Sequence, residues 1–350
     1  MATFSEASKA KKEIAKELLK RKDILGVGVG YYNPKNPKEG AGIIIYSQKA
    51  VAHIASTAKK LPKKVEVNIK GKKLNIPVRV IKNDKFRSNI ARASFTKRIR
   101  PVKAGYSIGP ADWSGSGGII AINYPKKNQL FLLSNNHVLN KNNSSGYSET
   151  LQPGGADGGN KTKDRFGKMY KFVKLKKNSN YIDGALCIPV SNRLLSTKYP
   201  YVGKLKGHLK AYGVGTKFIK VGRTTGLVGG RVESINTDVK VDYGKYAGLG
   251  EIQFENQTIV RSTVPISKPG DSGSVWINYY TRSAAAVNFA GTADGKMSIS
   301  YPIHWAMQVF NTRVATSING GGRIISSKTK NNSNYTSPLS KEELKSIKVL

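Results

Sequence analysis

The chain has 350 residues, 39% of them hydrophobic, which is enough for a sizeable core and for more than one folding unit. A single cysteine, Cys187, excludes an intrachain disulfide framework, and no apolar run approaches the roughly 18 residues of a membrane span. Lys and Arg outnumber Asp and Glu by 59 to 21, for a formal net charge of +38, densest in residues 1–100 (25 cations against 7 acids).

Residues 5–22 predict a helix, because Ile14, Leu18 and Leu19 fall at i, i+4 and i+5 behind Ser5 as N-cap. Residues 24–32 alternate apolar side chains with Gly26, Gly28 and Gly30, the pattern of a strand that another element approaches closely. That glycine spacing does not match a dinucleotide loop, and no helix follows it, so it reads as strand. A Pro/Asn/Gly loop at 33–40 leads to a second strand at 42–46, and 49–58 predict a short helix. Residues 65–69 and 74–80 alternate with period two around Gly71, as a hairpin does. Residues 1–85 therefore predict a small α+β unit, a candidate for mediating oligomerisation. Residues 86–104 are basic and weakly patterned, a linker. From 105 to 325, short apolar runs punctuated by Gly, Asn and Ser predict a mainly β domain, a barrel or sandwich. Residues 326–350 are rich in Lys, Asn and Ser and predict a mobile tail, with a last helical turn or two at 341–349.

Three stretches can carry chemistry. In Pro269-Gly270-Asp271-Ser272-Gly273-Ser274, glycines let the chain turn sharply around a serine. A serine hydroxyl is a weak nucleophile until a base is placed beside it, and the N–H groups of Gly270 and Ser272 are free in such a turn to meet a developing oxyanion. Gly-Asp-Ser-Gly also occurs in unrelated turns. In Phe131-Leu132-Leu133-Ser134-Asn135-Asn136-His137 an apolar strand runs straight into a histidine. Of the other histidines, His53 falls in the expected helix, His208 in a Lys-rich stretch and His304 in a segment that reads as packing, so only His137 has the setting of a general base. In Tyr181-Ile182-Asp183-Gly184-Ala185-Leu186 an acid lies between apolar runs; a buried carboxylate needs a partner, and an imidazole is one, although Asp before Gly is also a common turn.

The three residues occur in the order His, Asp, Ser, separated by 46 and 89 positions. The chymotrypsin order is the same, with separations of about 45 and about 93. Together with Leu133–Val138, Leu151-Gln152-Pro153-Gly154, Asp157-Gly158-Gly159, Val221-Gly222-Arg223-Thr224-Thr225-Gly226 and Phe289-Ala290-Gly291, these motifs resemble the trypsin-like peptidase family. Within it the chain is most similar to the cysteine-poor intracellular branch that includes the plant narrow-leaf-type proteases and bacterial homologues.

The resemblance implies a chymotrypsin-like double β-barrel preceded by a small α+β N-terminal domain. It implies a serine endopeptidase that uses no cofactor and no metal, with His137 as base, Asp183 orienting it, Ser272 attacking and the Gly270 and Ser272 amides as oxyanion hole. Ile266, six residues before the serine, would lie at the base of the primary pocket, with Phe289, Ala290 and Gly291 as its wall. Asp271 would have no freshly cleaved N-terminus to pair with, so its role stays open. Arg223 reads as a loop brace, and Asp157 alone makes a poor cation site. With no apolar leader in the first twenty residues, the expected location is cytoplasmic. The expected partners are a protein or peptide substrate and, through the positive field, nucleic acid or an acidic protein. A rival expectation is a basic binding module that keeps the protease-like fold without its chemistry.

Overall fold

A computed structural model of the chain describes residues 1–48, 61–69, 72–83, 95–326 and 334–350. The expected helix at 49–58 with His53, the Gly71 turn and the expected linker up to residue 94 lie outside the described residues.

The first helix spans Phe4–Leu19, starting earlier than the apolar spacing predicts. Thr3 rather than Ser5 caps it, because Thr3 and Glu6 form a reciprocal capping box that satisfies two otherwise orphaned amides. Its buried face, Phe4, Ala7, Ala10, Ala15 and Leu19, covers Val27, Val29, Ile43 and Ile45 of the following strands. Those strands, Ile24–Tyr31 and Ala41–Ser47, pair antiparallel. Ala41–Ser47 runs parallel to Lys72–Lys82, which pairs in turn with Lys64–Ile69.

The N-terminal strands also join the main body of the protein. Ile24–Tyr31 pairs antiparallel with the long strand Gly226–Asp242, with Gly26 opposite Val239. The glycine alternation permits this approach: a Cβ at Gly28 would lie 2.3 Å from Thr237 Oγ1, and one at Gly30 would lie 2.6 Å from the Glu233 carbonyl oxygen. Lys11 reaches from the helix to Asp238 of the same long strand, 2.6 Å away, so its charge is paired although the residue is buried.

The rest is mainly β and falls into two units. The first is a sheet in the order Gly320–Gly321, Thr312–Ser317, Ile119–Asn123, Leu130–Ser134, Ala185–Pro189, Arg165–Phe172, Glu149–Leu151. The second contains Lys217–Gly222, Gly226–Asp242, Glu251–Arg261, Val275–Asn278, Ala284–Gly291 and Met297–Pro302, and continues into the N-terminal strands. The late strand Thr312–Ser317 crosses back to pair with Ile119–Asn123 in the first unit. The two units touch through glycines: a Cβ at Gly118 of the first would lie 2.4 Å from the Gly273 carbonyl oxygen of the second.

Two expectations about the basic segments change. Residues 95–100 are anchored to the first unit, Arg98 to Asp164 at 2.8 Å and Arg100 to the Gln152 side chain at 2.6 Å. Residues 334–350 are bound to the body where their polar composition predicts a mobile tail. Phe172 and Leu350 exchange two backbone hydrogen bonds, and the Trp305 indole donates to the Ser337 carbonyl at 2.7 Å. The reason is the sparse apolar set in the tail: Leu339 enters the main core, and Leu344, Ile347 and Val349 pack against it.

Candidate active site

The register of one strand pair places the first two predicted residues together. Ala185 lies opposite Ser134, so continuing the antiparallel count brings Asp183 opposite Asn136, beside His137. His137 sits in a single helical turn, Asn136–Leu139, that ends the Leu130–Ser134 strand. Asp183 is fully buried and fully engaged. Its Oδ1 accepts from the Asn136 amide at 2.7 Å and from the His137 amide at 3.3 Å. Its Oδ2 is paired with His137 Nδ1 and accepts from the Tyr243 hydroxyl at 2.6 Å. A buried carboxylate without such donors would be strongly unfavourable, so this set is what allows the charge to be there.

Ser272 comes from the second unit and lies on the floor of the same cleft as His137. Its backbone carbonyl accepts from the Ser116 amide of the first unit at 2.8 Å. Its Oγ donates to the Phe289 carbonyl at 3.2 Å, and His137 Nε2 has no hydrogen-bond partner among the described residues. The structure therefore closes the His137–Asp183 contact and leaves the serine hydroxyl turned toward Phe289. Unliganded sites commonly hold such contacts open until substrate tightens them. Among the described residues, the amides of Gly270 and Ser272 donate to no protein acceptor. Gly270 has φ +94° and Gly273 has φ +92°, conformations that turn the chain sharply on either side of Ser272.

The turn holding the serine is fastened from beneath by Asp271, which is fully buried. Its Oδ1 accepts from the amides of Thr224 and Thr225 at 2.9 and 3.0 Å, and its Oδ2 from the Lys268 amide at 2.9 Å. Lys220 Nζ, also fully buried, lies 3.6 Å from Oδ2 and donates to Thr225 Oγ1 at 3.2 Å. Burial pushes the Lys220 ammonium below its ordinary range, and the Asp271 charge opposes that push. An internal cation thus occupies the role that the sequence leaves open for Asp271.

Arg223 is a brace, as its sequence setting predicts, and it supplies the partner for Asp157. Its guanidinium forks onto both Asp157 oxygens, and Ser107 adds a third donor to the same carboxylate. The Arg223 amide bonds Ser116 Oγ, which donates onward to the Gly270 carbonyl, both at 2.8 Å. Asp157 is therefore filled by a guanidinium and hydroxyl set that ties the first unit to the turn carrying Ser272.

The cleft beside Ser272 has a volume of about 720 Å³ and is lined by Trp113, Val138, Lys141, Tyr243, Lys245 and Tyr246, among others. The residues expected to form the primary pocket do not line it. Ile266 packs inside the second unit with Phe218, Val260 and Trp276. The amides of Ile266 and Ser267 both donate to the Gly295 carbonyl, which folds this segment onto the short hairpin after Gly291. Phe289 meets Ser272 through its carbonyl, while Ala290 and Gly291 are buried in the strand beyond. Tyr243 and Lys220 lie outside the three stretches that carry chemistry in the sequence. Lys220 carries a local signal, since period two places it on the inward face with Phe218; Tyr243 carries none, because its partner lies 60 residues away.

No family model matches the chain, and no curated protein matches it. Among solved structures, it is similar to a glutamic-acid-specific serine protease that utilises a novel histidine triad in substrate binding, at 16% identity over 61% of this chain and 100% of the other, with a TM-score of 0.46. It is also similar to Thermobifida fusca protease A, at 17% identity over 62% and 99%, with a TM-score of 0.43. Cellulomonas bogoriensis chymotrypsin gives the same identity, coverage and TM-score.

Proposed function

We propose that the protein is a serine endopeptidase in which Ser272 is the nucleophile, His137 the general base and Asp183 the residue that holds it. The observation that carries this reading is the convergence of His137, backed by the buried Asp183 carboxylate, from one β unit and a glycine-flanked Ser272 from the other in one cleft. In the proposed reaction, Ser272 Oγ rotates from the Phe289 carbonyl toward His137 Nε2, gives up its proton and attacks the substrate carbonyl. The Gly270 and Ser272 amides receive the oxyanion, and His137 returns the proton to the leaving amine. Water repeats the sequence on the acyl-enzyme. Asp183 keeps Nδ1 protonated, so that Nε2 is the basic nitrogen. Because Lys220 and three amides hold Asp271 from inside, this turn needs no inserted N-terminus to keep its shape.

The cysteine-poor branch with the plant narrow-leaf-type proteases remains the proposed affiliation, on the motifs of the sequence. A reducing, cytoplasmic location fits a chain whose one thiol, Cys187, is buried and pushed up to about 12 by that burial, leaving it inert. Among the described residues no helix is long and apolar enough to cross a membrane.

A second reading adds docking to catalysis. Residues 161–177 hold eight Lys and Arg (161, 163, 165, 168, 171, 174, 176 and 177), all exposed, while their one acid, Asp164, is buried. Exposed Tyr147 and Tyr170 stand beside this row, a mixture suited to a single-stranded nucleic acid. Retention on such a strand that does not weaken between low and moderate salt would count against it.

The catalytic reading is tested with a fluorophosphonate probe on the wild type, Ser272→Ala and His137→Ala. Labelling of the wild type alone is the expected result. A folded wild type that does not react, or one labelled at another serine, overturns the assignment.

A further inference from the structure

We propose that Tyr243 is a positioning residue for the His137–Asp183 pair, reaching it from the unit that carries the nucleophile. The proposal rests on the serine-protease reading above. The donors to Asp183 Oδ1 are backbone amides of its own unit, Asn136 and His137. On Oδ2 the contact with His137 Nδ1 leaves lone-pair capacity, and the Tyr243 hydroxyl takes it at 2.6 Å. Among the described residues, no other side chain of the second unit hydrogen-bonds Asp183. Phe289, whose carbonyl faces Ser272, offers no hydroxyl of its own.

The tyrosine is held firmly enough to act this way. It is buried, its ring meets His137 edge-on at 5.5 Å and 85°, and it also packs on Phe254, stacked at 6.0 Å and 23°, and on Tyr246, tilted at 6.2 Å and 40°. Burial, reinforced by the Asp183 charge, pushes its hydroxyl well above the ordinary range, so it stays protonated and donates. The loop that follows is closed on itself: the Tyr243 amide bonds the Gly250 carbonyl at 2.8 Å, and Gly244, Gly248 and Gly250 all take positive φ. Three residues on, Tyr246 fastens the loop to the first unit through the Asn140 carbonyl at 2.9 Å. The two tyrosines thus do different work. Tyr243 fixes the acid behind the imidazole, and Tyr246 fixes the cleft wall in front of it.

The groups facing His137 are Asp183 behind it, Tyr243 and Tyr246 from the loop, and Lys141, Lys245 and Asp242 around the cleft. Removing the Tyr243 hydroxyl leaves the Asp183 charge less shared and less firmly oriented. The imidazole is then held less firmly, and the pH profile of the rate changes.

The test compares full-length wild type, Tyr243→Phe and Tyr246→Phe by the second-order rate of fluorophosphonate labelling across pH. The downfield proton NMR resonance of the His137–Asp183 hydrogen bond is followed in parallel. Tyr243→Phe is expected to label roughly tenfold more slowly, the size expected for losing one hydrogen bond to a charged group. Its acid limb should move and its resonance should shift. Tyr246→Phe is expected to weaken probe binding while leaving the acid limb and the resonance where they are. Tyr243→Phe with the wild-type rate, limb and resonance overturns the proposal while labelling still stands. An unreactive wild type with an unmoved resonance overturns both this proposal and the reading beneath it. A resonance that shifts in Tyr243→Phe supports the positioning role whether or not the protein labels.

Discussion

Replacing Lys220 with Met isolates the clamp under the turn that carries Ser272. Methionine keeps most of the side-chain volume and the contact with Trp276, whose ring lies 5.4 Å from Nζ, but removes the charge. At the observed 3.6 Å, two unit charges attract by about 5 kcal/mol at an effective permittivity of about 20, and desolvation of both groups opposes that gain. Removing one member of a buried pair typically destabilises by about 3–5 kcal/mol, because the other charge stays buried alone. Asp271 retains three amide donors, so the lower end, about 3 kcal/mol, is expected. Guanidinium unfolding should show this as a lower midpoint at unchanged slope, and fluorophosphonate labelling should slow as the turn loosens. The double variant with Asp271→Asn should recover part of the loss, since no lone charge remains. A single variant within about 0.5 kcal/mol of wild type, the range of an ordinary surface substitution, would show that the pair does not hold the turn.

Gly273→Ala should be severely destabilising and unreactive toward the probe: φ is +92°, and a Cβ would lie 2.1 Å from Ser134 Oγ and 2.3 Å from the Ser116 carbonyl oxygen. A folded, normally labelled G273A would contradict the packing described at the junction of the two units. A separate expectation concerns acid. His208 Nε2 and His304 Nδ1 meet at 3.0 Å in the interior, where burial, with neighbouring His304 and Arg313, pushes His208 down to about 3. Burial, with Lys210 and Arg313, pushes His304 down to about 4. Both are depressed below the ordinary 6.5, so the unfolded chain binds protons that the folded chain refuses. Their contribution is complete above about pH 6.5 and falls away as pH drops toward 4 and then 3. Urea titrations of wild type and a His208→Asn/His304→Gln variant should diverge in slope against pH below 6.5, and parallel curves would refute this.

Wherever a residue's partners lie close in sequence or follow from a strand register, the chain order was informative. The Pro269–Ser274 turn needs its glycines locally, and the apolar run into His137 announces a strand end. Asp183 lies opposite that end by the simple counting of one antiparallel pair. The alternating glycines at 26, 28 and 30 likewise told of a close neighbour, though not of which one.

What the tertiary structure alone decided is identity of partners. The neighbour of Gly28 is Thr237, so the N-terminal strands extend the sheet of the second unit. The partner of Asp271 is Lys220, and the third donor group around the His137–Asp183 pair is Tyr243, brought in by the Gly226–Asp242 and Glu251–Arg261 hairpin. Ile266 shows the converse: six positions from Ser272 it has the spacing of a pocket residue, yet the short hairpin beyond Gly291 draws it into the core. Sequence encodes propensity and pattern over a few residues. Pairings across 50 to 200 positions depend on which surfaces the packed sheets bring within hydrogen-bonding reach, and those distances exist only in the folded chain.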